Sequence, residues 1–69
     1  MLKYKIDVLQ SLKNIGFSTY KLRKDKLLGE ATIQKMRNSE LISWENINII
    51  CSLLNCQPGD LIIFERDSE

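Results

Sequence analysis

Residues 44–55, WENINIICSLLN, are apolar over more of a helix's girth than a solvated surface helix tolerates. Trp44, Ile47, Cys51 and Leu54 form one stripe at helical spacing. Ile50 joins it, and Ile49 and Leu53 broaden it. Such a helix needs neighbours on most sides, which predicts a central helix with the rest of the chain packed around it. Ser43 supplies a strong N-cap, with Asn46 at the third helical position. The chain has 69 residues, enough for a single domain. A domain of this size buries only roughly 60% of its unfolded surface, so the core must be compact.

The other elements read as short helices. In IDVLQSLKNI, residues 6–15, Ile6, Leu9 and Leu12 recur every three positions, and Val8 and Ile15 widen the stripe. Gly16 is a natural stop, and Ser18 is a good cap for the next helix. TYKLRKDK, residues 19–26, is a very polar helix with Leu22 as its main apolar contact. Helices shorter than about 12 residues are marginal in water, so this one must be held by its neighbours. After LLGE a second short helix begins at Gly29 or Glu30 and runs to Asn38, with Leu28 pointing inward. Pro58 suits the first position of a final turn. LIIF, residues 61–64, reads either as its continuation or as a short strand against Leu2–Tyr4, and the ERDSE tail as frayed.

Charge is unevenly placed. The net charge is only +1, yet residues 18–37 carry six cations against two anions, a local +4. Residues 38–69 carry one cation against six anions, a local −5. Fields are made locally, so the middle of the chain can attract a polyanion while the end repels it. Met1–Lys5 leads into no unbroken apolar stretch, and no run approaches the roughly 18 residues that span a bilayer. The expectation is a cytoplasmic protein without membrane association.

Catalytic chemistry has little to stand on. The chain has no His and no phosphate-binding GxxxxGK[ST] loop. Its Ser and Cys side chains lack a base partner in the sequence. Cys51 and Cys56, without His, do not make a tetrahedral zinc site. Their spacing puts them on opposite sides of a helix if both are helical. Cys51 then reads as a small core residue and Cys56 as a partly buried one near a helix end. No cofactor, metal or small-molecule ligand is expected.

The more informative pattern is the pair of short helices. Leu22, Leu28, Ile33 and Met36 are spaced six, five and three apart. That suits a helix, a turn residue that plugs the core, and a second helix packed across the first: a helix-turn-helix. GEATIQKMRN, residues 29–38, keeps Ile33 and Met36 for the core and offers amide, carboxylate and ammonium groups elsewhere. A face with hydrogen-bonding groups in particular places suits a helix that reads a duplex groove.

From Ser18 to Ile62 the chain resembles the Xre/Cro-type helix-turn-helix of phage repressors and small bacterial regulators, and the likeness extends over about residues 6–63. It rests on Ser18, Thr19 and Leu22 opening the first short helix, and on Leu28 as the aliphatic plug of the turn. Thr32, Ile33, Met36 and Asn38 match the recognition helix. Ser43 to Asn55 match the last long helix, and CQPGDLI the ending of one branch of small members. There are departures. Arg23 stands where a small residue is usual, Leu27 at the usual turn Gly, Thr19 at a frequent Gln, and Arg37 at a frequent acid. The first two bear on how closely the helices approach and on the geometry of the turn.

The resemblance implies an all-α, lambda-repressor-like bundle of four to five helices over residues 1–69, forming a single helix-turn-helix domain. It implies a sequence-specific transcriptional regulator that binds double-stranded DNA; one copy this small should bind weakly, so a homodimer on two half-sites is the expected working form. Glu30, Ala31, Gln34 and Lys35 would face base edges. Thr19, Lys21, Lys24, Arg37 and Asn38 would meet phosphates. Thr32 is expected to pack or cap, and Tyr20 is balanced between phosphate contact and local packing. A rival reading is a protein-interaction module of the same fold, antirepressor- or antitoxin-like. Near-neutral net charge and Glu30 in the reading helix speak for it.

Overall fold

The computed structural model describes residues 1–66. Strand β1 (Leu2–Tyr4) leads into helices α1 (Val8–Asn14), α2 (Thr19–Lys24), α3 (Glu30–Arg37) and α4 (Trp44–Leu54). A single 3-10 turn (Pro58–Asp60) and strand β2 (Ile62–Phe64) come after them. The fold is a small helical bundle closed by a two-stranded antiparallel sheet, so the expected all-α class holds and LIIF is resolved in favour of a strand. Leu2 stands opposite Phe64, Lys3 opposite Ile63, and Tyr4 opposite Ile62. The sheet ties the ends of the chain together. The Lys5 N–H donates to the Leu61 carbonyl at 2.7 Å, and the Glu65 N–H to the Met1 carbonyl at 2.9 Å. The Glu65 carboxylate meets Lys3 at 2.7 Å, and its carbonyl accepts from the N-terminal ammonium. The start of the acidic tail is therefore held in place; residues 67–69 lie outside the described residues.

Local chemistry sets the helix boundaries. Asp7 caps α1 by accepting from the Gln10 N–H at 3.1 Å. Ser18 caps α2 and Ser43 caps α4, each accepting from the backbone N–H three residues on at 3.2 Å. Asn55 ends α4 in the left-handed conformation, a role its short amide side chain tolerates. Gly16, with φ of 98°, turns the chain out of α1. The first helix is shorter than the apolar spacing suggested. Ile6 lies ahead of the Asp7 cap and Ile15 beyond the last turn, and both are exposed. Being outside the helix, they do not share its phase.

The buried core consists of Val8, Leu12, Leu22, Leu28, Ile33, Met36, Ile50 and Leu61. Each helix adds to it, which corrects the expectation of a central α4. Ile50 is the only fully buried residue of α4, and Ile47, Ile49, Cys51, Leu53 and Leu54 are half-buried. Trp44, expected in the inward stripe, is 86% exposed. α4 thus forms one wall of the bundle, and its first residue, Trp44, faces solvent. Tyr4 braces that end. Its hydroxyl donates to the Glu40 carbonyl at 2.6 Å, and burial pushes its phenol above the ordinary value. Cys56 lies outside α4, so the opposite-sides expectation for the cysteines does not apply. Its N–H donates to the Cys51 carbonyl at 3.0 Å. Burial, with Cys51 alongside, pushes the Cys56 thiol up.

The turn between α2 and α3 also differs from expectation. α2 stops at Lys24 rather than 26, with Asp25 as C-cap. The residue in the left-handed conformation is Lys26, φ 56°, one position ahead of Leu27, which is half-buried instead. A side chain with a Cβ is strained there. Lys26→Gly should therefore raise stability by about 0.5–1 kcal/mol after the entropy cost of glycine. A higher urea midpoint at unchanged slope would show it, and an unchanged or lower midpoint would contradict the strain.

Candidate nucleic-acid interface

α2 and α3 form the helix-turn-helix, and their placement is set by a few buried side chains. α2 buries only Leu22. The Leu22 carbonyl accepts from the Leu27 N–H at 2.9 Å and from the Leu28 N–H at 3.4 Å, so one residue anchors both the helix and the turn. Leu28 fills the core below the turn, being 2% exposed. α3 then buries Ile33 and Met36. Thr32 is half-buried, and its hydroxyl accepts from the Asn46 side-chain amide at 3.0 Å, pinning α3 to α4.

This packing turns the opposite side of α3 outward. Glu30, Ala31, Gln34, Lys35 and Asn38 are all exposed. At 100° per residue they share one face, away from Ile33 and Met36. Arg37 is exposed too, but lies on the edge next to Ile33. That edge borders a groove of about 680 Å³ between α1 and the helix-turn-helix, lined by Gln10, Lys13, Thr19 and Arg37 among others. The structure thus brings Thr19 and Arg37 together and adds two polar residues of α1, Gln10 and Lys13, that sequence reasoning missed. Their outward phase on α1 was visible; their distance from α3 was not. Asp7 lines the same groove and opposes its positive charge.

Lys21 and Lys24 stand apart from that groove on exposed α2. The Lys21 ammonium lies 5.8 Å from the centre of the Phe17 ring and 3.9 Å from the Asp25 carboxylate. The Lys24 ammonium lies 5.9 Å from the ring of Tyr20, which is itself 69% exposed. Arg23 pairs with Glu30 at 2.9 Å. Of the six cations between residues 18 and 37, Lys24, Lys26, Lys35 and Arg37 have no ion pair among the described residues. The acidic side chains Glu40, Glu45, Asp60 and Glu65 belong to the loop after α3, to α4 and to the closing segments, outside the helix-turn-helix.

No helix among the described residues is long and apolar enough to cross a membrane. If the Thr32–Asn46 bond sets the tilt of α3, Asn46→Ala should lower stability by about 1 kcal/mol. It should also speed hydrogen exchange in α3 more than in α1. Equal effects on the two helices would show that the bond does not position α3.

No curated protein and no solved structure matches the chain significantly. A family model does match, that of the Cro/C1-type HTH DNA-binding domain, over residues 5–67. With its helix-turn-helix geometry and that match along almost its whole length, the chain belongs to the Cro/C1-type HTH DNA-binding domain family.

Proposed function

We propose that the chain is a sequence-specific regulator of transcription that lays α3 in the major groove of double-stranded DNA. The observation that carries this reading is the two-sided build of α3. Ile33 and Met36 are buried in the core, while Glu30, Ala31, Gln34 and Lys35 are exposed on the outside, Glu30 paired with Arg23 and hydrogen-bonded to Gln34. An α-helix with side chains is about 10–12 Å across, and the major groove about 12 Å wide. In that groove Gln34 addresses adenine and Lys35 guanine. Ala31 meets a thymine methyl, and Glu30 lies in reach of a cytosine amino group. Thr19, Lys21, Lys24, Arg37 and Asn38 grip phosphates, which set register and supply affinity without sequence information.

Binding to a random duplex and to DNA from upstream of the protein's own gene, titrated with salt, tests this. Log K should fall steeply and linearly with log salt. Lys35→Ala should relax preference at one base pair, at a cost of about 1–3 kcal/mol. Lys21→Ala should weaken all sequences alike. Duplex binding that ignores salt, or no duplex binding in dilute buffer, would reject the reading and favour the protein-interaction alternative.

Two copies are needed for a useful operator. The eight residues of α3 span about 12 Å, only a few base pairs. Two half-sites about 34 Å apart supply the rest. The surface that suits a second copy is an apolar groove of about 340 Å³ between the sheet and the start of α4. Leu2, Leu41, Trp44 and Pro58 line it, and Phe64 shares the sheet face of its partner Leu2. Trp44 and Phe64 are 86% and 61% exposed. Together they present roughly 300 Å². With Leu2 and Leu41 the patch covers much of the roughly 800 Å² per partner of a standard interface. A net charge of +1 sets little repulsion against self-association. Trp44→Glu should leave the fold intact, sediment as a monomer, and lose binding to paired half-sites while keeping random-duplex binding. A variant that still sediments like wild-type dimer, or a wild type that is monomeric at millimolar concentration, would exclude this face.

A further inference from the structure

Arg23 occupies a position where relatives by resemblance carry a small residue, and the structure gives it an occupation. Its Nη1 donates to Glu30 Oε2 at 2.9 Å. Its Nε donates to the Thr19 carbonyl at 3.3 Å, and Nη2 lies 3.5 Å from the Thr19 hydroxyl oxygen. The other carboxylate oxygen of Glu30 accepts from Gln34 Nε2 at 3.3 Å. One chain of contacts therefore runs from α2 through the first residue of α3 to its outward-facing amide.

From this we infer that Arg23 is a positioning residue for base reading: it holds Glu30, and Glu30 sets the orientation of Gln34. The inference rests on the proposed reading of α3 as the groove-facing helix. A carboxylate can only accept hydrogen bonds, so Glu30 binds the NH₂ end of the Gln34 amide and never its oxygen. That removes the ambiguity of a free amide. One N–H of Gln34 is engaged, while its second N–H and its oxygen remain for a base. An acceptor and a donor side by side are what adenine presents, at N7 and N6. A guanidinium fork can span Thr19 and Glu30 at once, which a lysine ammonium on a flexible stem does with less definition. Arg23 also neutralises Glu30 where a bare carboxylate would repel the phosphates beside the groove. The side chains of Arg23 and Glu30 are 44% and 52% exposed in the free protein. Docking on DNA excludes water from them and strengthens the pair. Glu30 then acts through Gln34 more than by touching a base of its own.

Selection from a randomised duplex pool tests the inference, followed by competition between the selected duplex and single-base variants. The wild type, Gln34→Ala, Arg23→Met, Arg23→Lys and the double variant Arg23→Met/Gln34→Ala are compared. Gln34→Ala should erase preference for adenine at one base pair. Arg23→Met should reduce the preference at that same pair by roughly tenfold, within the range a bidentate contact supplies. Binding to random duplex should fall only as far as the loss of one cation requires. Arg23→Lys should recover the random-duplex binding and only part of the preference. In the Gln34→Ala background, Arg23→Met should have no further effect at that pair, the mark of two groups acting as one. The Gln34 side-chain amide signals should also move in the free Arg23→Met protein while the backbone spectrum stays folded. If Arg23→Met lowers affinity for every sequence equally, Arg23 is a surface cation and the inference is wrong, though the reading of α3 stands. If Gln34→Ala leaves every base preference as it was, the assignment of Gln34 itself fails.

Discussion

Leu22 is the residue on which the rest of the architecture hangs. It has no exposed surface and is the whole apolar contribution of a six-residue helix. A helix of that length does not persist by its own hydrogen bonds, because nucleation is costly and few residues repay it. Its side chain enters the core cluster shared with Leu28 and Ile33, and its carbonyl receives the N–H groups of Leu27 and Leu28. The angle between α2 and α3 is thus set inside the core, and the polar side of α3 is free to vary. A reading surface can change its chemistry only if the scaffold under it does not depend on that surface. Here Ile33 and Met36 carry the packing of α3, and of the outward residues only Glu30, through Arg23, also ties α3 to α2.

The electrostatics show a similar division. Positive charge is concentrated on α2 and α3, and negative charge on the segments after α3. The few ion pairs near the site do not merely cancel charge. Lys21–Asp25 is long at 3.9 Å and exposed, and contributes little. Arg23–Glu30 is short and joins two helices, so its consequence is geometric. Arg23 looks like a defect when the sequence is read alone, a bulky cation where helices usually approach closely. In the structure its stem stays at the surface and its head crosses to α3.

How much was legible can be judged residue by residue. LIIF was open between a continued turn and a strand against Leu2–Tyr4, which the fold decided, whereas the caps Ser18 and Ser43, the plug Leu28, and the inward pair Ile33 and Met36 could all be read from the chain. They depend on near neighbours or on period, and both are written in order along it. The errors share a cause. Ile6, Ile15 and Trp44 are apolar residues at or beyond a helix end, where periodicity says which way a side chain points and says nothing of whether a partner is there. The left-handed residue of the turn, Lys26, was not foreseen, because which residue turns depends on how far α2 extends before Leu28 is drawn into the core.

The sequence by itself determined the order of the four helices, the side of each short helix that goes inward, and the uneven charge along the chain. These are local properties of side-chain chemistry and spacing. Only the tertiary structure decided that α4 is a wall rather than an axis, that Trp44 stands in solvent beside an apolar groove, that Gln10 and Lys13 share a groove with Thr19 and Arg37, and that Arg23 reaches Gln34 by way of Glu30. Each of these is a meeting of residues from different elements, or the lack of one. It depends on how the elements are oriented in three dimensions, and no periodicity along the chain encodes that.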